Sequence, residues 1–186
     1  MNPVTRSHLD IIREMTDLGG IPVVILVNSH QDARNPLDLA TRRAILQEVL
    51  GPRSPVRIMS CRNPFILVRK LLRRPGLEVL AHHCGPDRSR DYSTWYPDEE
   101  VEVVEHRYAN GTRASQARDA ARRLDTRGFR LSTPPAVWPY MHDIAAICHG
   151  QVLGATPPEP EPEMASPAGN QQGIEALFGR RRRRFG

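Results

Sequence analysis

Three short stretches of this chain carry side chains suited to handling phosphate groups. Asn2-Pro3-Val4-Thr5-Arg6-Ser7-His8 stands immediately before a stretch with helical spacing. A helix start offers unpaired backbone N–H groups and the positive end of the helix dipole. Thr5 and His8 would therefore face one anionic ligand there, with His8 donating to a phosphate oxygen. Far downstream, Ala114-Ser115-Gln116-Ala117-Arg118 opens another helical stretch. Ser115 is expected to cap that helix while its first amides receive phosphates, and Arg118, three residues on, shares the face. Between the two, Cys84-Gly85-Pro86-Asp87-Arg88 follows a predicted strand. A carboxylate at Asp87 is chemically suited to two ribose hydroxyls, although Gly85-x-Asp87 taken alone reads more readily as a loop turn.

Taken in chain order, these stretches resemble the cytidylyltransferase-like nucleotidyltransferase superfamily. Asn-Pro-Val-Thr-Arg-Ser-His is similar to its H/T-x-G-H signature: Thr5 matches the first position and His8 the histidine that steadies the α-phosphate, with Ser7 where glycine is usual. Gly85-x-Asp87 with Trp95 resembles the G-x-D element of nicotinamide-type adenylyltransferases and related viral proteins. Ser115-x-x-Arg118 is similar to the S/T-x-x-R signature, with Ala114 replacing the usual Ser or Gly. Asp125-Thr126-Arg127-Gly128-Phe129 with Pro134-Pro135, and Gln31 to Leu37 upstream, look like further family stretches, so the resemblance runs roughly from residue 2 to residue 137.

The resemblance implies transfer of a nucleoside monophosphate, AMP from ATP in the leading reading, to a phosphate-bearing acceptor. Nicotinamide or nicotinic acid mononucleotide is the acceptor it suggests, pyrophosphate the leaving product and NAD biosynthesis the setting. An ionised acceptor phosphate attacks the α-phosphorus in line, so the protein needs neither a nucleophile nor a strong general base. His8, with Thr5, would stabilise the α-phosphate, and Ser115 and Arg118 the departing pyrophosphate. Asn2, Gly85 and Asp87 would contact the nucleotide, and Mg²⁺ would bridge phosphate oxygens with no ligand set of the protein's own. A second reading stays open: a catalytically degenerate relative that binds nucleotide or nucleic acid without turnover.

The elements that must position these groups alternate between helical and strand-like patterning, as a parallel sheet covered by helices requires. Helices are predicted over 8–18, 37–50, 64–73, 115–124 and 140–148, and strands over 21–27, 56–60, 77–84 and 101–106. Ile21 to Val27 is nearly continuous in apolar residues, which reads as a strand buried on both faces. Arg42 and Arg43, on the second helix, could reach a phosphate or stay solvated. The fold class is α/β, a Rossmann-like parallel sheet with helices on both faces. In relatives a central strand precedes the T-x-x-H segment, whereas Met1 here already lies in the loop after it. The first central strand is expected to be missing or truncated, through an upstream start or an adapted fold.

Composition sets outer bounds. At 186 residues the chain can hold one core-bearing domain, placed at 1–150, with a Pro/Glu-rich linker over 151–170 and a C-terminal peptide over 171–186. Three scattered cysteines, Cys61, Cys84 and Cys148, suit neither a disulfide framework nor paired zinc spacing, and His82-His83-Cys84 lacks a second pair. With no long apolar run or signal-like start, a soluble cytoplasmic protein without a membrane partner is expected. The net charge of +5 suits phosphate ligands and nucleic acid alike. In the tail, Gln171, Ile174, Leu177 and Phe178 resemble a peptide that binds a DNA sliding clamp. Arg180, Arg181, Arg182, Arg183 and Arg184 would aid encounter or touch nucleic acid.

Overall fold

The structure is a computed structural model that describes residues 1–85, 89–96, 101–106 and 112–150. The expectations for Asp87, the linker and the tail peptide lie outside these residues. In chain order the elements are α1 (Arg6–Asp17), β1 (Val23–Val27), α2 (Leu39–Leu50), β2 (Arg57–Cys61), α3 (Pro64–Leu72), β3 (Ala81–Cys84) and α4 (Ser89–Ser93). They continue with β4 (Glu102–Glu105), α5 (Ala114–Arg122), α6 (Thr126–Ser132), a 3₁₀ turn (Pro135–Tyr140) and α7 (Met141–Cys148). This is the α/β alternation that the patterning predicts. No helix of the described residues is long and apolar enough to cross a membrane.

Local chemistry explains the element ends. Asp38 accepts from the Thr41 N–H at 2.7 Å, so α2 starts two residues later than its apolar pattern suggests. It stops at Gly51, whose φ of 75° is open to glycine and strained for other residues. Asn63 caps α3 and Pro64 takes the first helical position, where a missing N–H costs nothing. Asp125 accepts from the Gly128 N–H at 2.9 Å and thereby starts α6, a helix that hydrophobic spacing alone did not reveal.

Among the described residues all strand pairing is parallel. β1 pairs with β2 from Val23↔Arg57 to Val27↔Cys61, and β3 pairs with β4 from Ala81↔Glu102 to Cys84↔Glu105. Among the described residues the two ladders are not hydrogen-bonded to each other. The described strands thus form two parallel pairs in a Rossmann-like α/β arrangement. The third strand is shorter than its predicted span, because the ladder extends only as far as its four-residue partner. β1 also departs from the reading as doubly buried: Val24 and Leu26 are buried, while Val23, Ile25 and Val27 are only partly so.

The core gathers Val4, Ile12, Leu26, Ile45, Leu46, Phe129, Val137 and Ile144. Each large side chain withdrawn from water here contributes roughly 1.5–3 kcal/mol. Ala117, Ala120 and Ala121 bury one face of α5, and their small size lets it lie close to α6 and α7. Arg42 and Arg43 tie α2 to the first ladder. Arg42 is 3% exposed and donates to the Val27 carbonyl at 2.9 Å, and Arg43 donates to the Ile58 carbonyl at 3.3 Å. Neither solvation nor phosphate binding describes Arg42; its guanidinium satisfies the carbonyl at the end of β1.

The second ladder carries a smaller aromatic cluster. His82 stacks on Tyr92 at 4.3 Å and bonds the Tyr96 hydroxyl, while Trp95 meets Phe65 edge-on at 5.5 Å. His83 points elsewhere: its Nδ1 lies 2.7 Å from His106 Nε2, and His106 Nδ1 lies 2.6 Å from the Glu14 carboxylate on α1. The adjacent histidines leave the strand on opposite sides, as successive strand residues must.

Candidate functional site

The site begins at the entry to α1. Thr5 is its extended N-cap residue and is fully buried. His8, the third helical residue, folds its ring back over the helix start. Its Nδ1 lies 3.0 Å from the Thr5 backbone nitrogen and 2.8 Å from Thr5 Oγ1. A backbone N–H can only donate, so Nδ1 is an acceptor and the neutral ring carries its proton on Nε2. Burial first, and the Met1 ammonium second, push the His8 imidazole down to about 3. At neutral pH His8 is therefore an uncharged donor through Nε2–H.

Asn2 braces this segment. Its Nδ2 donates to the Leu37 carbonyl at 2.9 Å and its Oδ1 accepts from the Leu37 N–H at 3.0 Å. The side chain is 4% exposed and engages the loop before α2 through both ends of its amide. Its backbone carbonyl faces the other way and accepts from Arg118 Nη1 at 2.7 Å. A second link lies beside it, where Ser7 Oγ and Thr112 Oγ1 are 2.8 Å apart. The starts of α1 and α5, more than a hundred residues apart in sequence, are thus joined at two points.

Arg118 sits on α5 with one amino group committed to Asn2, and its guanidinium carries further donors in a fixed fork. Burial lowers its pKa, with the nearby Cys148 and Asp119 opposing that shift, yet a guanidinium stays charged. Ser115 is where the sequence expectation needs correction. Arg113, not Ser115, is the N-cap of α5, because the Gln116 side chain reaches back to accept from the Arg113 N–H at 2.7 Å. The helix consequently starts one residue earlier. Ser115 becomes its second residue, exposed in the first turn with no capping role.

Gly85 is buried directly after β3, at the carboxyl end of a parallel ladder. Open α/β sheets bind ligands at that end of their strands. The structure thus brings Asn2, Thr5, His8, Ser115 and Arg118 to one pair of helix starts and leaves Gly85 on the second ladder. Thr112 is the contact that sequence reading missed; its only signal was a hydroxyl two residues ahead of a helix start. Among the described residues no group of three or more His, Cys, Asp or Glu side chains could hold a metal ion.

Chemically, the paired helix starts present a neutral imidazole donor, a guanidinium and the positive ends of two helices to one region. This arrangement suits several anionic oxygens at once. No curated protein matches the chain. The family model described as cytidylyltransferase-like matches residues 1–109, from the Asn2 brace through β4, and stops short of α5. With more than half of its length matched, the chain belongs to the cytidylyltransferase-like family, which supports a nucleotidyltransferase-type function.

Proposed function

We propose that this protein transfers a nucleoside monophosphate from a nucleoside triphosphate to a phosphate-bearing acceptor and releases pyrophosphate. AMP from ATP is the preferred donor reaction, and a pyridine mononucleotide such as nicotinamide mononucleotide is the proposed acceptor. The observation that carries this reading is the junction of the two helix starts, where Arg118 grips the Asn2 carbonyl at 2.7 Å beside the Thr5–His8 pair.

In this reading the acceptor phosphate supplies the attacking oxygen, and no residue need remove a proton from it. His8 Nε2–H donates to an α-phosphate oxygen as charge builds there; the ring is held in place because its other nitrogen is bonded to Thr5. A neutral donor draws less on the ground state than a cation would, so its effect is concentrated on the transition state. Arg118 and the first-turn amides of α5, with the exposed Ser115 hydroxyl, hold the β- and γ-phosphates and the departing pyrophosphate. Asp87 and Gly85 are assigned to the ribose side. Mg²⁺ is proposed to arrive with the triphosphate as part of the substrate.

The test is a pyrophosphate-release assay across the four ribonucleoside triphosphates, each paired with nicotinamide mononucleotide, nicotinic acid mononucleotide and simple phosphate monoesters. The reading requires saturable release that depends on both substrates. Absence of release with every pair would end it, and release with CTP in preference to ATP would redirect the donor assignment.

A further inference from the structure

On α1, Ser7 faces the α5 junction and His8 folds back on Thr5, but Arg6 turns toward α6. Its Nη2 donates to the Arg130 carbonyl at 3.3 Å. Arg6, Thr126, Arg127, Arg130, Leu131 and Trp138 line an open cleft of about 540 Å³. Three guanidiniums therefore share one concavity. None of them is paired with a carboxylate among the described residues; Asp125, the closest acid in sequence, is turned to the Gly128 N–H. Arg130 lies 4.9 Å above the Trp138 ring, which holds the plane of its guanidinium, and Trp138 is itself anchored by donating to the Thr133 carbonyl at 3.3 Å.

Like charges gathered without counter-charge repel one another, and a polyanion relieves that repulsion. Guanidinium forks match phosphate oxygens in pairs, and an arginine already flattened on an aromatic ring loses little freedom on binding. We infer that this cleft is a second anion site, separate from the His8 junction, that takes phosphate groups carried in series. Apart from Arg6, its residues lie beyond the 1–109 family match. Its ligand is either a short inorganic polyphosphate or the backbone of a single-stranded nucleic acid, which share this chemistry.

The experiment uses the full chain in two arms at low salt: calorimetric titration with inorganic tripolyphosphate, and fluorescence anisotropy with a short labelled single-stranded oligonucleotide. The double variant R127Q/R130Q is compared with R53Q/R57Q, which removes the same charge from exposed arginines elsewhere, so the arginine-rich tail contributes equally to both. The wild type is expected to bind, with affinity falling about tenfold in R127Q/R130Q and holding in the control. A loss confined to the tripolyphosphate arm assigns the small anion, and a loss confined to the other arm assigns the strand. Equal affinities for R127Q/R130Q and the wild type in both arms, an equal loss in the control, or no binding by the wild type overturns the inference. Neither arm measures turnover, so the outcome is independent of nucleotidyl transfer.

Discussion

Arg118 donates to the backbone carbonyl of Asn2 at 2.7 Å, across 116 residues of chain. That single bond, with the Ser7–Thr112 contact beside it, sets the start of α5 against the start of α1. The Asn2 side chain then passes the constraint on to Leu37 and the entry of α2. Three helix entries are tied by one asparagine.

Removing that brace should weaken the fold. Asn2→Ala leaves the buried Leu37 N–H and carbonyl without partners, and each orphaned group costs about 1–3 kcal/mol. Urea unfolding of the variant is expected to show a lower midpoint with an unchanged m-value. An unaltered midpoint would show that water replaces the brace.

His8→Ala should still fold, with some stability lost because the buried Thr5 N–H loses its acceptor, and should lose catalysis. A single transition-state donor in such a site is worth a factor of about 10²–10³ in turnover. The drop is expected in kcat more than in KM, because the neutral imidazole acts where charge develops. Steady-state pyrophosphate release checks this, with far-ultraviolet circular dichroism to confirm folding. Turnover at the wild-type level would remove His8 from the mechanism.

Ser115→Ala separates a ligand contact from a cap. Loss of a true cap costs about 1 kcal/mol. Because Arg113 occupies the cap position and Gln116 serves it, the thermal midpoint of the variant should match that of the wild type. In the proposed reaction its KM for the triphosphate rises. A clear fall in the midpoint would restore Ser115 to the capping role.

Arg42→Ala should be among the more damaging exchanges of an arginine. It opens space in a site only 3% exposed and strips the Val27 carbonyl of its donor. A destabilisation of about 1–3 kcal/mol is expected from that orphaned carbonyl alone. The same exchange at the exposed Arg53 should stay within about 0.5 kcal/mol. Denaturant midpoints of the two variants provide the comparison.

Acid should unfold this protein through its histidines. Burial is the first cause that lowers His8 to about 3 and His82 to about 4, and it also lowers His83, with His106 adding to that shift and Glu102 and Glu14 opposing it. In the unfolded chain these rings take up protons near pH 6.5. Their contribution to stability is therefore fully present above pH 6.5. It is lost as pH falls from there through about 4 for His82 and about 3 for His8. Each ring adds a slope of up to about 1.4 kcal/mol per pH unit in that window. Urea midpoints taken at pH 7.5, 6 and 5 (about one unit apart in the region of steepest change) should decline together with pH. His82→Gln should flatten part of the trend. A midpoint independent of pH over this range would contradict the burial of these rings.

Much of the fold was legible from residue order, because caps, breakers and apolar spacing act locally. The helix ahead of Gly19-Gly20, the strand ending at Val27 and the helix closed by Gly51 all stand within a residue or two of their predicted places. The short helices α4 and α6 carried no periodic signal long enough to read; α6 depends on the Asp125 cap. The two phosphate-suited segments were legible because a hydroxyl, an imidazole or an arginine at a helix start has a spacing that can be recognised without coordinates.

Residue order thus determined which side chains could meet an anion and that they would stand at helix entries, since both follow from types and spacings along a few turns of chain. Tertiary structure decided what no local rule contains: that Asn2 turns its amide to Leu37 and its carbonyl to Arg118, that Gln116 displaces Ser115 from the cap, and that the strands of the described residues form two parallel pairs. Those outcomes depend on which distant donor reaches a given carbonyl first, and packing of the whole chain settles that competition.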